Sequence, residues 1–241
     1  MTTSVENRRL FWNACYNVRD LGGLPAGPDQ QFTRSHAFVR ADNLARLSPA
    51  GQTDLVAYGI RTIIDLRSEF ELAIDPPPFA ANSGQPGQPA YQNIPLLDET
   101  DAEGIAQGNQ LTSLADYYIF AADRYQANIG QIITAMAAAT EQGAILFHCH
   151  SGRDRTGIIA GLLLALAGVD HQLIAADYAV SNRYLQPAFQ KPLVEEPEII
   201  LSLLHHLENS YGSVRGYLRS CQVNDTDLSR LYQHLLPSAI L

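Results

Sequence analysis

Lysine is almost missing from this chain: Lys191 is the only one, and every other cation is an arginine. Acidic residues outnumber basic ones, 25 to 16, for a net charge of −9. A surface of that sign excludes nucleic acid and anionic membrane as general partners, so an anion site has to reverse the field locally. Cysteine is scarce too, at positions 15, 149 and 221. Three scattered thiols build no disulfide framework and suit a reducing compartment where a free thiolate persists. Cys15 and Cys221 read as packing residues. His148 and His150 flank Cys149, but no second Cys/His pair has zinc-site spacing, so no metal and no other cofactor is expected. Long apolar runs are absent. The longest, 158–169, is too short to span a bilayer, and MTTSVENRRLFW at the start lacks the core and cleavage site of a signal peptide. The expectation is a cytoplasmic protein without integral membrane association. Repeats, heptads and low-complexity tracts are also lacking.

What is present is the patterning of an α/β protein in one domain over residues 1–241. Residues 36–40 read as a short strand. Ser48 and Pro49 open a helix that runs toward Tyr58 and stops at Gly59. IRTIIDL at 60–66 is a β-branched run suited to a strand covered on both faces, with Asp65 and Arg67 at its carboxyl end, where open α/β sheets bind ligands. Five prolines at 75–89 make a loop. Residues 91–96 read as a strand, and the acidic stretch 98–110 as a loop without apolar anchors. One apolar stripe at helical spacing, including Tyr117, Tyr118 and Tyr125, predicts a helix over 112–140. A buried strand at 144–148, a helix at 155–167 and further helices at 170–184, 198–209, 213–220 and 225–236 follow. Strands alternating with helices imply three α/β/α layers around a mostly parallel sheet, ending in a helical C-terminal third.

The chemistry concentrates in LFHCHSGRDRTGIIAG at 146–161, where charge is inserted between a buried strand and a buried helix. From Cys149 to Arg155 the chain makes a seven-residue turn able to aim several backbone N–H groups at one point. The following helix adds its positive N-terminal end. That is a cradle for a tetrahedral oxyanion, built from Cys149, His150, Ser151, Gly152, Arg153, Asp154 and Arg155. The guanidinium of Arg155 can clamp two phosphate oxygens at once. A thiol beside cations at a helix N-terminus loses its proton readily, and a thiolate under a phosphate is a nucleophile aimed at phosphorus. An acid must then protonate the leaving oxygen. Asp154 in the loop, and Asp98 or Asp101 upstream, are the candidates.

HCHSGRDRTG resembles the HCxxGxxRT signature of cysteine-dependent tyrosine phosphatases. NVRDLGGL at 17–24, VRADNL at 39–44, IIDLRSEFE at 63–71 and YGSVRGYL at 211–218 are similar to the bacterial-type branch of that family, so the likeness spans nearly the whole chain. The resemblance implies a tyrosine-phosphatase-like fold and hydrolysis of phosphotyrosine, with phosphoserine, phosphothreonine or phosphoinositides as further substrates of some members. It implies Cys149 as nucleophile, Arg155 as phosphate clamp and Asp154 as acid. Lysine is usual before that aspartate in loops that accept phosphoinositides; here Arg153 stands, a planar fork in place of a point charge.

Other readings attach to the same residues. A phosphoinositide phosphatase would share the mechanism, a rhodanese-like sulfurtransferase also uses a cysteine in an anion-binding loop, and a phosphate-binding module would lack turnover. Asn17 to Gly23 reads as a turn, and Asp65 with Arg67 as a loop-bracing pair as readily as a substrate contact. His205 and His206 share a helix and read as surface or packing residues.

Overall fold

The computed structural model describes residues 8–27, 31–190 and 194–236; Lys191 lies outside them. A five-stranded sheet in the order β1-β4-β7-β5-β6 forms the middle layer. Its strands are β1 (Arg19–Asp20), β4 (Phe38–Ala41), β5 (Ile60–Asp65), β6 (Ala90–Asn93) and β7 (Ala144–His148). Every pairing is parallel except β1 with β4. A separate short hairpin joins β2 (Pro25–Ala26) to β3 (Gln31–Phe32).

The central strands read as continuous apolar runs because both their faces are covered. On β7, Ile145 and Phe147 enter the larger core while Ala144 and Leu146 enter the smaller one, the period-two alternation of a strand with helices on both sides. The smaller core lies under α1 (Pro49–Ala57), which Ser48 caps by accepting from the Gly51 N–H. The larger core is formed with α4 (Leu114–Arg124), α5 (Gln126–Ala139), α6 (Asp154–Leu166), α7 (His171–Phe189), α8 (Glu198–Tyr211), α9 (Val214–Ser220) and α10 (Asp225–Leu235). Ten of the thirteen residues of α6 are buried, so it is apolar almost all round.

Four local expectations are corrected, and one helix is added. The stripe over 112–140 is two helices, because the backbone of Tyr125 (φ −105°, ψ 35°) leaves helical geometry. The redirection lets α4 pack on α8 and α5 on α10 while the apolar periodicity continues. Residues 98–110 contain a helix, α3 (Ala102–Gly108), which lacks a buried apolar anchor. It is held by Asp101, whose carboxylate accepts from the Gly104 N–H and pairs with Arg124. A further helix, α2 (Glu69–Ile74), follows β5. It is fixed by a reciprocal capping box: Ser68 accepts from the Glu71 N–H, and Glu71 accepts from the Ser68 N–H. Pro95 ends the strand predicted at 91–96 early, at Asn93, and the helix predicted at 170–184 runs on to Phe189. No helix among the described residues is long and apolar enough to cross a membrane.

Candidate active site

The carboxyl ends of β4, β5 and β7 meet at one edge of the sheet, and the 149–153 loop leaves there to enter α6. The six carbonyls from His148 to Arg153 each have a donor nearby, and for all but Cys149 that donor comes from another segment. His148 O accepts from the Leu66 N–H (2.8 Å) and His150 O from the Asn43 N–H (3.0 Å). Ser151 O accepts from Asn17 Nδ2 (3.1 Å) and Gly152 O from Arg40 Nη2 (2.9 Å), with Arg153 O 3.5 Å from the same nitrogen. Cys149 O lies 3.1 Å from His148 Nδ1. The N–H groups of His150, Ser151 and Gly152, by contrast, donate to no described residue. A peptide unit whose carbonyl is turned outward presents its N–H inward, so the loop is a ring of unengaged donors at the mouth of α6. Gly152 is required for this path. It has φ +66°, and a Cβ there would stand 2.4 Å from the Ala41 carbonyl oxygen.

Behind the ring lies a buried ionic cluster. Arg8, Arg19 and Arg40 converge on Asp177 of α7. Burial alone would raise the Asp177 carboxyl, but the three guanidinium groups outweigh it and hold it well below the ordinary carboxylate range. Desolvation and the neighbouring Arg40 pull Arg19 down to about 10, still a cation at neutral pH. Arg19 also donates to Asn17 Oδ1, and Asp42 accepts from the N–H groups of Tyr16 and Asn17. The NVRDLGG and VRADN stretches are thus the rear wall of the loop: Asn17, Arg19, Arg40 and Asn43 brace it. Asp65 and Arg67 form a second brace, a buried fork (Nη2 to Oδ2, 2.7 Å) with His148 Nε2 3.3 Å from the same oxygen. Burial would raise the Asp65 carboxyl, yet His148 and Arg67 hold it far down.

The front of the loop is open. A cavity of about 620 Å³ is lined by His150, Ser151, Arg153, Asp154, Arg155 and Glu71, with Leu185 and Phe189 on one side. Cys149, next to the lining residue His150 in sequence, is buried, 1% exposed. The two Nη atoms of Arg155 are held end-on by Glu71, with Nη2 to Oε1 at 2.7 Å, which leaves the Nε edge of the fork for an anion. Desolvation pushes the Glu71 carboxyl up, but the hydrogen bonds and charge of Arg155 win and hold it at about 2. Asp154 Oδ1 accepts from the hydroxyl of Tyr118 (2.6 Å) and from Arg153 Nε (2.9 Å), and Ser151 Oγ stands 3.4 Å from Oδ2. Tyr118 is itself bonded to Tyr178 (2.8 Å).

Of the seven sequence-predicted loop residues, His150, Ser151, Arg153, Asp154 and Arg155 line the cavity, while Cys149 and Gly152 do not. Nor do the alternative acids: Asp98 is exposed and accepts from Thr100, while Asp101 is tied to α3 and Arg124, and neither lines the cavity. The Thr156 hydroxyl is buried without a hydrogen-bond partner. Cys15 and Cys221 sit apart from the loop, their thiols pushed up by burial, Cys221 to about 11. His206 bonds Asp123 on the surface. Sequence reasoning missed Glu71, Tyr118, Tyr178 and Asp177. Only Glu71 left a local signal, the capping box Ser68-x-x-Glu71.

Residues 10–237 match the description "Tyrosine phosphatase family". The chain belongs to this family. A tyrosine-protein phosphatase of Nostoc commune is 34% identical over 222 residues, covering 81% of this chain and 72% of that protein. The triple specificity protein phosphatase PtpB of Mycobacterium tuberculosis is 25% identical over 276 residues, covering 92% and 96%. A tyrosine phosphatase is a phosphoric monoester hydrolase.

Proposed function

We propose that the protein hydrolyses phosphotyrosine in protein substrates through a phosphocysteine intermediate on Cys149. The observation that supports this is the run of carbonyls from His148 to Arg153 tied back, with the N–H groups of His150, Ser151 and Gly152 left without a described acceptor beside a cavity that Asp154 and Arg155 line. Those donors, the N-terminus of α6 and the free edge of Arg155 take the three non-bridging oxygens of the phosphate. Cys149 Sγ attacks phosphorus, the bond to the phenolic oxygen breaks, and that oxygen leaves with the electron pair and the proton of Asp154. Asp154, now a carboxylate, accepts a proton from water as the water oxygen attacks phosphorus. The S–P bond breaks, inorganic phosphate leaves and the thiolate returns. Both steps need only groups of this chain.

Asp154 is the acid in this scheme because it alone of the three candidate carboxylates borders the cavity. Phosphoserine and phosphothreonine are slower substrates of the same machinery, a breadth in keeping with the printed name of the Mycobacterium relative. A phosphoinositide ranks below them. Arg153 is already committed to Asp154 and to Asn182 Oδ1 (3.0 Å), which leaves it poorly placed to reach a second headgroup phosphate. The test is hydrolysis of p-nitrophenyl phosphate in the presence of a chelator. Wild type should turn over, Cys149→Ser should fold but not turn over, and undiminished activity in that variant would refute the mechanism.

A further inference from the structure

The described arginines have a shared property with one exception. Fourteen of the fifteen make a hydrogen bond or ion pair; Arg46 makes neither. Arg9, Arg34 and Arg61 also lack a carboxylate partner but bond backbone carbonyls; in a chain of net charge −9, Arg46 leaves the local field positive with its donors unspent. Its place is specific. It ends the single turn Leu44–Arg46, whose capping residue Asn43 is the one that holds the His150 carbonyl. The guanidinium is therefore carried on a segment tied directly to the phosphate loop.

Arg46 lines a second cavity, of about 230 Å³, together with Tyr16, Asn43, His150 and Ser151. His150, Ser151, Leu185 and Phe189 belong to both this cavity and the larger one lined by Asp154 and Arg155, so the two are neighbours across a shared wall. The one carboxylate here, Asp42, is buried and its oxygens are turned to the N–H groups of Tyr16 and Asn17. It does not neutralise Arg46.

We infer that this second cavity is an anion subsite, in which Arg46 binds a carboxylate or second phosphate on the same peptide as the phosphotyrosine. The inference rests on the phosphotyrosine reading of the main cavity and names the kind of peptide that site prefers. Flanking positions should be selective, because a charged group held in a pocket beside the reaction centre adds binding energy to the ground state and transition state alike. The effect falls on KM, with kcat nearly constant.

The test is a set of phosphotyrosine peptides in which glutamate, glutamine or phosphoserine is placed at each flanking position in turn, with p-nitrophenyl phosphate as a reference lacking flanks. Wild type should favour glutamate over glutamine at one position by about fivefold in KM, the scale of a partly exposed charge pair. The phosphoserine arm tells carboxylate from phosphate as the better occupant. Arg46→Gln should erase the preference while leaving p-nitrophenyl phosphate turnover unchanged, and Arg46→Lys should keep part of it. Arg46 has no partner to lose, so neither substitution should unfold the protein. An undiminished preference in Arg46→Gln would overturn the inference. So would equal KM for all peptides in a wild type that turns over the reference, or an Arg46-dependent preference for an inositol bisphosphate over every acidic peptide. Absence of turnover on the reference itself would instead sink the phosphatase reading, and the subsite with it.

Discussion

The two sides of the phosphate loop are built from the same residue types to opposite ends. Behind it, Arg8, Arg19 and Arg40 meet Asp177 with side chains no more than 6% exposed. In front, Arg155 meets Glu71 and Arg153 meets Asp154 with side chains 18–34% exposed. Burial makes the rear cluster rigid, since a charge without water cannot leave its partner, and so the loop carbonyls have fixed anchors. Partial exposure leaves the front pairs at the open cavity, where an anion can approach the edge of Arg155 that Glu71 does not hold. The difference teaches that an arginine–carboxylate pair is scaffold or machinery according to its access to water.

The contrast is broken most severely at Asp177. Asp177→Asn leaves three buried guanidinium groups uncompensated, and the expected loss is about 3–5 kcal/mol in urea unfolding. A loss below about 1 kcal/mol would show that the rear is not locked. Asp154→Asn should leave stability nearly unchanged yet slow hydrolysis by about a hundredfold or more. The deficit should be largest for alkyl phosphates and smallest for p-nitrophenyl phosphate, whose leaving group needs little protonation; equal slowing of all substrates would remove Asp154 from the acid role.

Glu71→Gln frees the Arg155 fork from its end-on partner, and KM should rise about tenfold with a smaller change in kcat. The pair also carries a pH signature. The Glu71 carboxyl is depressed to about 2, so its stabilising contribution is complete above the ordinary glutamate range, near ~4.3. That contribution is lost as pH falls through about 2. Acid unfolding of wild type and Glu71→Gln should therefore converge at low pH and separate above it. The smallest effect belongs to Asp101→Asn, which removes an exposed pair on α3. It should cost less than about 1 kcal/mol and leave the pH–rate profile unmoved.

Much of this was legible in sequence because it is local. The run before Cys149, the glycine at 152 and the arginine at 155 lie within one strand, loop and helix, where periodicity and spacing decide the geometry. The partners of those residues are remote. Glu71 meets Arg155 across 84 positions, and Tyr118 reaches Asp154 from a helix whose apolar stripe disguised its hydroxyl as packing. Asp177 lies on a helix between buried Ile174 and Tyr178, and nothing near it announces three arginines. Helix α3 escaped because its stability comes from a cap and an ion pair, not from an apolar face. Asn17 to Gly23, read as a turn, does hold structure in place; that Asn17 and Arg19 hold the phosphate loop itself is visible only in three dimensions.

The central claim is that a phosphoryl group passes through Cys149. It is tested most directly by quenching the enzyme in acid during turnover of p-nitrophenyl phosphate and mapping the adduct by peptide mass. A phosphoryl group on the peptide containing Cys149, absent from Cys149→Ser, is the predicted result. Full turnover with that peptide unmodified, or with phosphate on another residue, would contradict it.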